Sequence, residues 1–244
     1  MRNIKLTIEY DGKDFNGWQK QPNKLNIQGT IEQAIKSITG EDVELNASGR
    51  TDAGVHAFGQ VANFKTNSQI PIEKFAIAIN SRLKKSIVIK KAEEVDERFH
   101  SRLNCKRKTY RYIINNSENG TAIYRGLEYH VPMKLDYEKM NEAIKYFIGE
   151  HDFKAFKASG TSSKSSVRKI LDGNVRKEGE RVIIEVTGTG FLYNMVRIIS
   201  GTLLDVGLGK IKPEDIPSII ESKDRTKAGK TLPAHGLYLL QVNY

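Results

Sequence analysis

The chain reads as an α+β protein of two tandem ferredoxin-like (RRM-like) β-α-β-β-α-β halves, whose mostly antiparallel sheets merge around a central cleft. Three observations predict this. Apolar residues alternate with period two in short stretches, which marks half-buried strands. Between them apolar residues recur at helical spacing and stop at glycines. The resulting element order then occurs twice along the 244 residues. The expected domains are 1–104 and 105–244, meeting near Leu103-Asn104 with no flexible linker.

In the first half, Ile4, Leu6, Ile8 and Tyr10 share one face of a strand that Asp11-Gly12 ends. The polar stretch to Leu25, with Trp18, reads as a loop. Ile27, Ile31, Ala34, Ile35 and Ile38 form a helix stripe, with Gly40 in the stop position. Val43, Leu45 and Ala47 alternate as a second strand, which runs into the segment 48–57. Residues 60–66 make a third strand. Ile72, Phe75, Ala76 and Ile79 follow Pro71 as a helix, and residues 86–91 form a fourth strand.

The second half repeats the order. Residues 106–115 form a strand; Tyr137, Met140, Ala143, Ile144 and Phe147 form a helix ending at Gly149. Residues 166–176 and 181–187 are two strands joined by a turn through Gly179. A helix covers about 191–206, a short one follows Pro213, and residues 236–242 close the chain as a strand.

Composition narrows the function classes. The hydrophobic fraction is 39% and strongly periodic, which indicates a globular protein. No apolar run approaches membrane-spanning length, and no export signal opens the sequence, so no membrane partner is expected. The single cysteine, Cys105, has no partner for an internal disulfide, and a cytoplasmic location is expected. The net charge is +10. The excess is clustered: residues 98–111 hold six Lys or Arg and no acid, and residues 154–169 hold five and no acid. Clustered cations near aromatic rings suit either a nucleic-acid partner or a solvated basic face.

Several motifs fail. Ala228-Gly229-Lys230-Thr231 lacks the first glycine of a phosphate loop, because position 224 is Asp224. Gly188-Thr189-Gly190 lacks the third glycine of a dinucleotide fingerprint, where Tyr193 stands. No pair of histidines has the i, i+4 spacing of a metal site, so neither metal nor bound cofactor is expected.

One loop concentrates chemistry. Ser48-Gly49-Arg50-Thr51-Asp52-Ala53-Gly54-Val55-His56-Ala57 sets a cation, an anion and an imidazole among small residues. Taken alone it has two readings: an Asx-turn in which Asp52 bonds its own backbone, or a reachable carboxylate held ionised by an arginine.

Residues 49–57 resemble the catalytic motif of the tRNA pseudouridine synthase A family. Further stretches match in order: Tyr10-Asp11-Gly12 through Asn16-Gly17-Trp18-Gln19, then Arg107-Lys108-Thr109-Tyr110-Arg111-Tyr112, and His151-Asp152-Phe153 with Phe156. Residues 190–197 and 234–239 complete a resemblance that spans essentially the whole chain. It implies a duplicated α+β fold, a homodimer, and cofactor-free isomerisation of uridines 38, 39 and 40 in the tRNA anticodon stem-loop. It implies Asp52 as nucleophile, Arg197 as its ion-pair partner, and Arg50 beside the flipped nucleotide. It also implies Tyr110 as the ring stacked on the uracil, its hydroxyl serving the removal of the C5 proton. Leu237 is expected to add an apolar wall, and His56 to be a structural donor. Lys106, Arg107, Lys164 and Arg168 are expected to meet phosphates, so that binding weakens steeply with salt. Two alternatives are a non-catalytic RNA-binding protein of paired RRM-like units and a carboxylate glycosidase. The first lacks the aromatic strand signature of RNA binders, and the second usually needs two carboxylates.

Overall fold

The computed structural model describes residues 1–160 and 165–244. In chain order its elements begin with β1 (Arg2–Tyr10), α1 (Ile27–Thr39), β2 (Asn46–Ala47), β3 (His56–Thr66), α2 (Ile72–Asn80), β4 (Ile87–Val95) and β5 (Arg107–Asn115). They continue with β6 (Tyr129–His130), α3 (Tyr137–Ala143), β7 (Gly149–Asp152), β8 (Val167–Glu178), β9 (Arg181–Gly188), α4 (Met195–Gly207), α5 (Ile216–Ser222) and β10 (Leu237–Asn243). The class is α+β, and most strand pairs are antiparallel. The chain divides into two compact units, Met1–Lys106 with Tyr238–Tyr244, and Arg107–Leu237.

In the first unit β1 is central, antiparallel to both β3 and β4. Strand β3 also takes β2 antiparallel, and β10 parallel through Tyr238↔His56 and Leu239↔Ala57. The inward residues Ile4, Leu6 and Ile8 are fully buried, each worth roughly 1.5–3 kcal/mol of transfer energy. Helix α1 starts where the Asn26 side chain accepts from the Gly29 N–H, and stops at Gly40, whose φ of +76° suits a left-handed cap. It buries Ile27, Ile31, Ala34 and Ile35.

In the second unit the ladder runs β5-β9-β8-β7, all antiparallel, with β6 parallel to β5. Helix α4 is the core element: all its residues are buried except Arg197 and Asp205. It also explains the failed phosphate-loop motif. A Cβ on Gly201 would lie 1.8 Å from the Lys230 carbonyl oxygen, and one on Gly229 2.5 Å from the Gly201 backbone. Gly229 therefore serves close packing of chain on helix.

Three local expectations are corrected. The strand through Val43 and Leu45 shrinks to Asn46–Ala47, because Leu45 turns its N–H to the Glu32 carboxylate and its carbonyl to the Gln28 amide. The helix at 191 starts at Met195, after Asn194 takes a left-handed φ of +59°. The helix ending at Gly149 is α-helical only to Ala143 and tightens into a 3-10 turn over Ile144–Phe147. Strands β6 and β7 carry no apolar alternation and escape a reading by period.

Candidate active site

The loop carrying Asp52 is built entirely within the first unit. It leaves β2 and enters β3, and both ends are pinned. At the entrance, the Ser48 N–H donates to the Val61 carbonyl at 2.7 Å and the Ser48 hydroxyl to Gln60 Oε1 at 2.7 Å. Gln60 Nε2 closes the bracket by donating to the Gly49 carbonyl at 3.0 Å. At the tip, the Val55 N–H donates to the Asp52 carbonyl at 3.1 Å across a β-turn in which Gly54 has φ +78°.

A second layer comes from residues 10–18. The Trp18 N–H donates to the Thr51 carbonyl at 3.0 Å, and the Tyr10 hydroxyl and Thr51 Oγ1 lie 2.8 Å apart. Burial pushes the Tyr10 phenol above its ordinary range, and bonds to Thr51 and Gln60 only partly oppose this, so it stays a neutral partner. Gly12 and Gly17 let this layer approach. A Cβ on Gly12 would lie 2.0 Å from the Val55 carbonyl oxygen, and one on Gly17 2.6 Å from that of Thr51. The buried His56 ring takes the Gly12 N–H on Nδ1 at 3.1 Å and stacks on Tyr238, with centroids 4.8 Å apart. His56 is a loop-holding residue in this geometry. Asp52 is half-buried, and Arg50 is exposed.

The second unit carries the other residues singled out in sequence. Tyr110 lies on β5 opposite Val186, buried, with its ring edge-on to Phe191 at 5.1 Å. Arg197 sits in the first turn of α4. Its Nε donates to the Leu232 carbonyl at 2.7 Å and its Nη1 to Asn194 Oδ1 at 2.8 Å. Tyr110 and Arg197 are thus fastened to the same turn, 191–194, from opposite ends. Leu237 is buried.

Of the expected phosphate contacts, Lys106 and Arg107 are exposed. Arg168 is half-buried and donates Nη1 to the carbonyls of Ser165 and Val167, and burial lowers its affinity for the proton below the ordinary arginine value. Lys164 lies outside the described residues. Among the described residues no cluster of three or more His, Cys, Asp or Glu is placed to hold a metal ion, and no helix is long and apolar enough to cross a membrane.

Neither Gln60, Gly17 nor the Leu232 carbonyl has a role that the sequence displays, and Gly12 reads there only as the end of β1. Both glycines lie in the stretch 10–19 that carries the resemblance, but their close approach to the Asp52 loop has no local signal. A backbone carbonyl such as that of Leu232 carries no signal in a sequence.

The fold and these sites define a class: an α+β protein with one carboxylate on a doubly braced, glycine-lined loop, and with an arginine and a tyrosine ring fixed to a single turn. A family model described as tRNA pseudouridine synthase matches residues 6–104 and 143–244. Over 244 residues, covering all of both chains, the protein is 58% identical to the tRNA pseudouridine synthase A of Caldicellulosiruptor saccharolyticus and 56% identical to that of Acetivibrio thermocellus. It is 55% identical over the same span to the tRNA pseudouridine synthase A 2 of Clostridium perfringens. The chain belongs to the tRNA pseudouridine synthase family, and it is an isomerase.

Proposed function

We propose that the protein converts uridines 38, 39 and 40 of the tRNA anticodon stem-loop to pseudouridine, with Asp52 as nucleophile on a flipped-out uridine. The observation that carries this reading is the family match, which runs through both the Asp52 loop and the Arg197 helix. Tyr110 falls outside that match and is covered by the full-length similarity to the relatives.

Isomerisation breaks the bond between N1 of uracil and C1′ of the ribose and forms one between C5 and C1′. The C5 hydrogen leaves as a proton and N1 gains one, so the product has the same atoms as the substrate. A nucleophile that attacks and later departs allows the base to turn in between, and a carboxylate suits both steps. An ordinary aspartate, with pKa near ~3.9, is already ionised at neutral pH. Covering it with a base raises that value, and a guanidinium opposes the rise. Arg197 is the proposed cation. Its two bonds within the second unit fix its direction before substrate arrives.

A stem uridine must leave the stack to be reached, at a cost of roughly a few kcal/mol. Tyr110 recovers part of this by stacking on the uracil, and its hydroxyl assists removal of the C5 proton. Arg50 holds the displaced nucleotide and Leu237 supplies an apolar wall. Lys106, Arg107, Lys164 and Arg168 meet backbone phosphates and set the register of the RNA. On this reading the halves 1–104 and 105–244 are tandem ferredoxin-like repeats, and the protein works in the cytoplasm as a homodimer.

The test is tritium release from tRNA labelled at uracil C5, with pseudouridine mapped in the product. Release with pseudouridine at positions 38 to 40 is expected. Binding without release would identify a pure RNA-binding protein and contradict the proposal.

A further inference from the structure

The guanidinium of Arg197 is aimed by a stretch of backbone, and that stretch is itself held. Residues 228–236 form a strap across α4 and β5 of the second unit. Its first contact is Gly229, whose N–H donates to Thr202 Oγ1 at 2.9 Å. Next, the Leu232 N–H meets the Arg197 carbonyl at 3.3 Å while the Leu232 carbonyl takes Arg197 Nε at 2.7 Å. The following residue, Pro233, has its φ fixed at −54° and restricts the backbone of Leu232 before it. The Leu232 carbonyl therefore points where the Pro233 peptide directs it.

The Pro233 carbonyl is gripped from below. The Tyr112 hydroxyl donates to it at 2.8 Å from a ring that is fully buried on β5. Burial pushes the Tyr112 phenol far above its ordinary range, with the nearby Arg197 charge only partly opposing, so the hydroxyl is a permanent donor. Gly236 ends the strap against the same ring: a Cβ there would lie 2.6 Å from Tyr112 Cζ and 2.9 Å from its oxygen. His235 lies beside the Tyr129 ring, centroids 6.3 Å apart, and Lys230 Nζ reaches the Tyr129 hydroxyl at 3.0 Å, which fastens the strap's outer edge.

We propose that Tyr112 is a positioning residue for the isomerase reaction: through the Pro233 carbonyl it sets the strap that aims Arg197. The proposal rests on the catalytic role given above to Arg197. Tyr112 lies two positions along β5 from Tyr110, so one strand would supply both the ring against the base and the support for the cation.

The test uses the full chain, 15N-labelled, and the Tyr112→Phe variant, which keeps the ring and removes only the donor. Two quantities are read: the water-exchange rate of the Arg197 Nε–H by NMR, with the signal assigned by its loss in Arg197→Lys, and the single-turnover rate on tRNA. The expected result is exchange at least tenfold faster and turnover about tenfold slower, with tRNA affinity within twofold. Gly236→Ala displaces the same ring by a different route and is expected to reproduce both changes. An unchanged Nε–H exchange rate in Tyr112→Phe overturns the proposal, whether or not turnover falls. Full turnover in Arg197→Lys overturns the catalytic role of Arg197 instead, and the exchange measurement still reports whether Tyr112 holds it.

Discussion

Gly17 carries the clearest residue-scale constraint. Its φ is +83°, a region that side-chain-bearing residues rarely adopt, and a Cβ there would meet the Thr51 carbonyl oxygen, the Ala53 nitrogen and the Asp52 carbonyl carbon within 3.1 Å. All three contacts are backbone of the Asp52 loop, so no side chain can swing aside to relieve them. Gly17→Ala is expected to cost about 2 kcal/mol or more, from strain and displacement together. The melting temperature should fall by on the order of 5 °C, and turnover should drop by tenfold or more because the loop moves under Asp52. Calorimetry and single-turnover kinetics on one preparation check both. The sequence made Asp52 visible because a carboxylate among glycines is conspicuous. It made Gly17 visible as a glycine, but the reason lies in a contact between residues 17 and 51 that no local pattern encodes.

At the scale of elements, periodicity locates helices and strands with an apolar face: β1, α1, α2, β5, β9 and α4 all carry one. It fails where polar side chains intercept the backbone. Glu32, buried on α1, takes the Leu45 N–H that a strand would otherwise use, and so shortens β2. It fails again at 191–194, where apolar residues imitate a helix but Asn194 is left-handed and the residues instead seat Tyr110 and Arg197. One polar clamp on a sheet face offers a pH test. Glu185 on β9 bonds Arg111 of β5 and Arg176 of β8, tying three strands. Burial alone would raise its pKa, yet the two guanidinium groups outweigh it and hold the carboxyl below its ordinary 4.5. A depressed folded-state pKa means that the unfolded chain takes up the proton first as pH falls. The stabilisation is therefore present above about pH 4.5 and is lost as pH drops through the lower folded value. Glu185→Gln is expected to destabilise the protein by about 1 kcal/mol at pH 7 and by progressively less as pH falls below 4.5. Urea unfolding across that range checks this, and a difference that stays constant with pH would contradict it.

At the scale of the whole molecule, the net charge of +10 and its clustering were consistent with an RNA partner but equally with a basic surface. Membership of the tRNA pseudouridine synthase family removes that ambiguity for the class of reaction. The first compact unit braces the Asp52 loop, and the second fixes Arg197 and the Tyr110 ring on one turn. Many of these braces end on backbone carbonyls or pass glycines, as at Gly49, Thr51 and Leu232, and such contacts leave no local pattern in the sequence. The claim on which everything turns is that Asp52 is the nucleophile. Asp52→Asn keeps the size of the side chain and removes its negative charge. In a tritium-release assay on tRNA labelled at uracil C5, this variant is expected to bind tRNA within a few-fold of wild type and to release no tritium. Release at the wild-type rate would contradict the account.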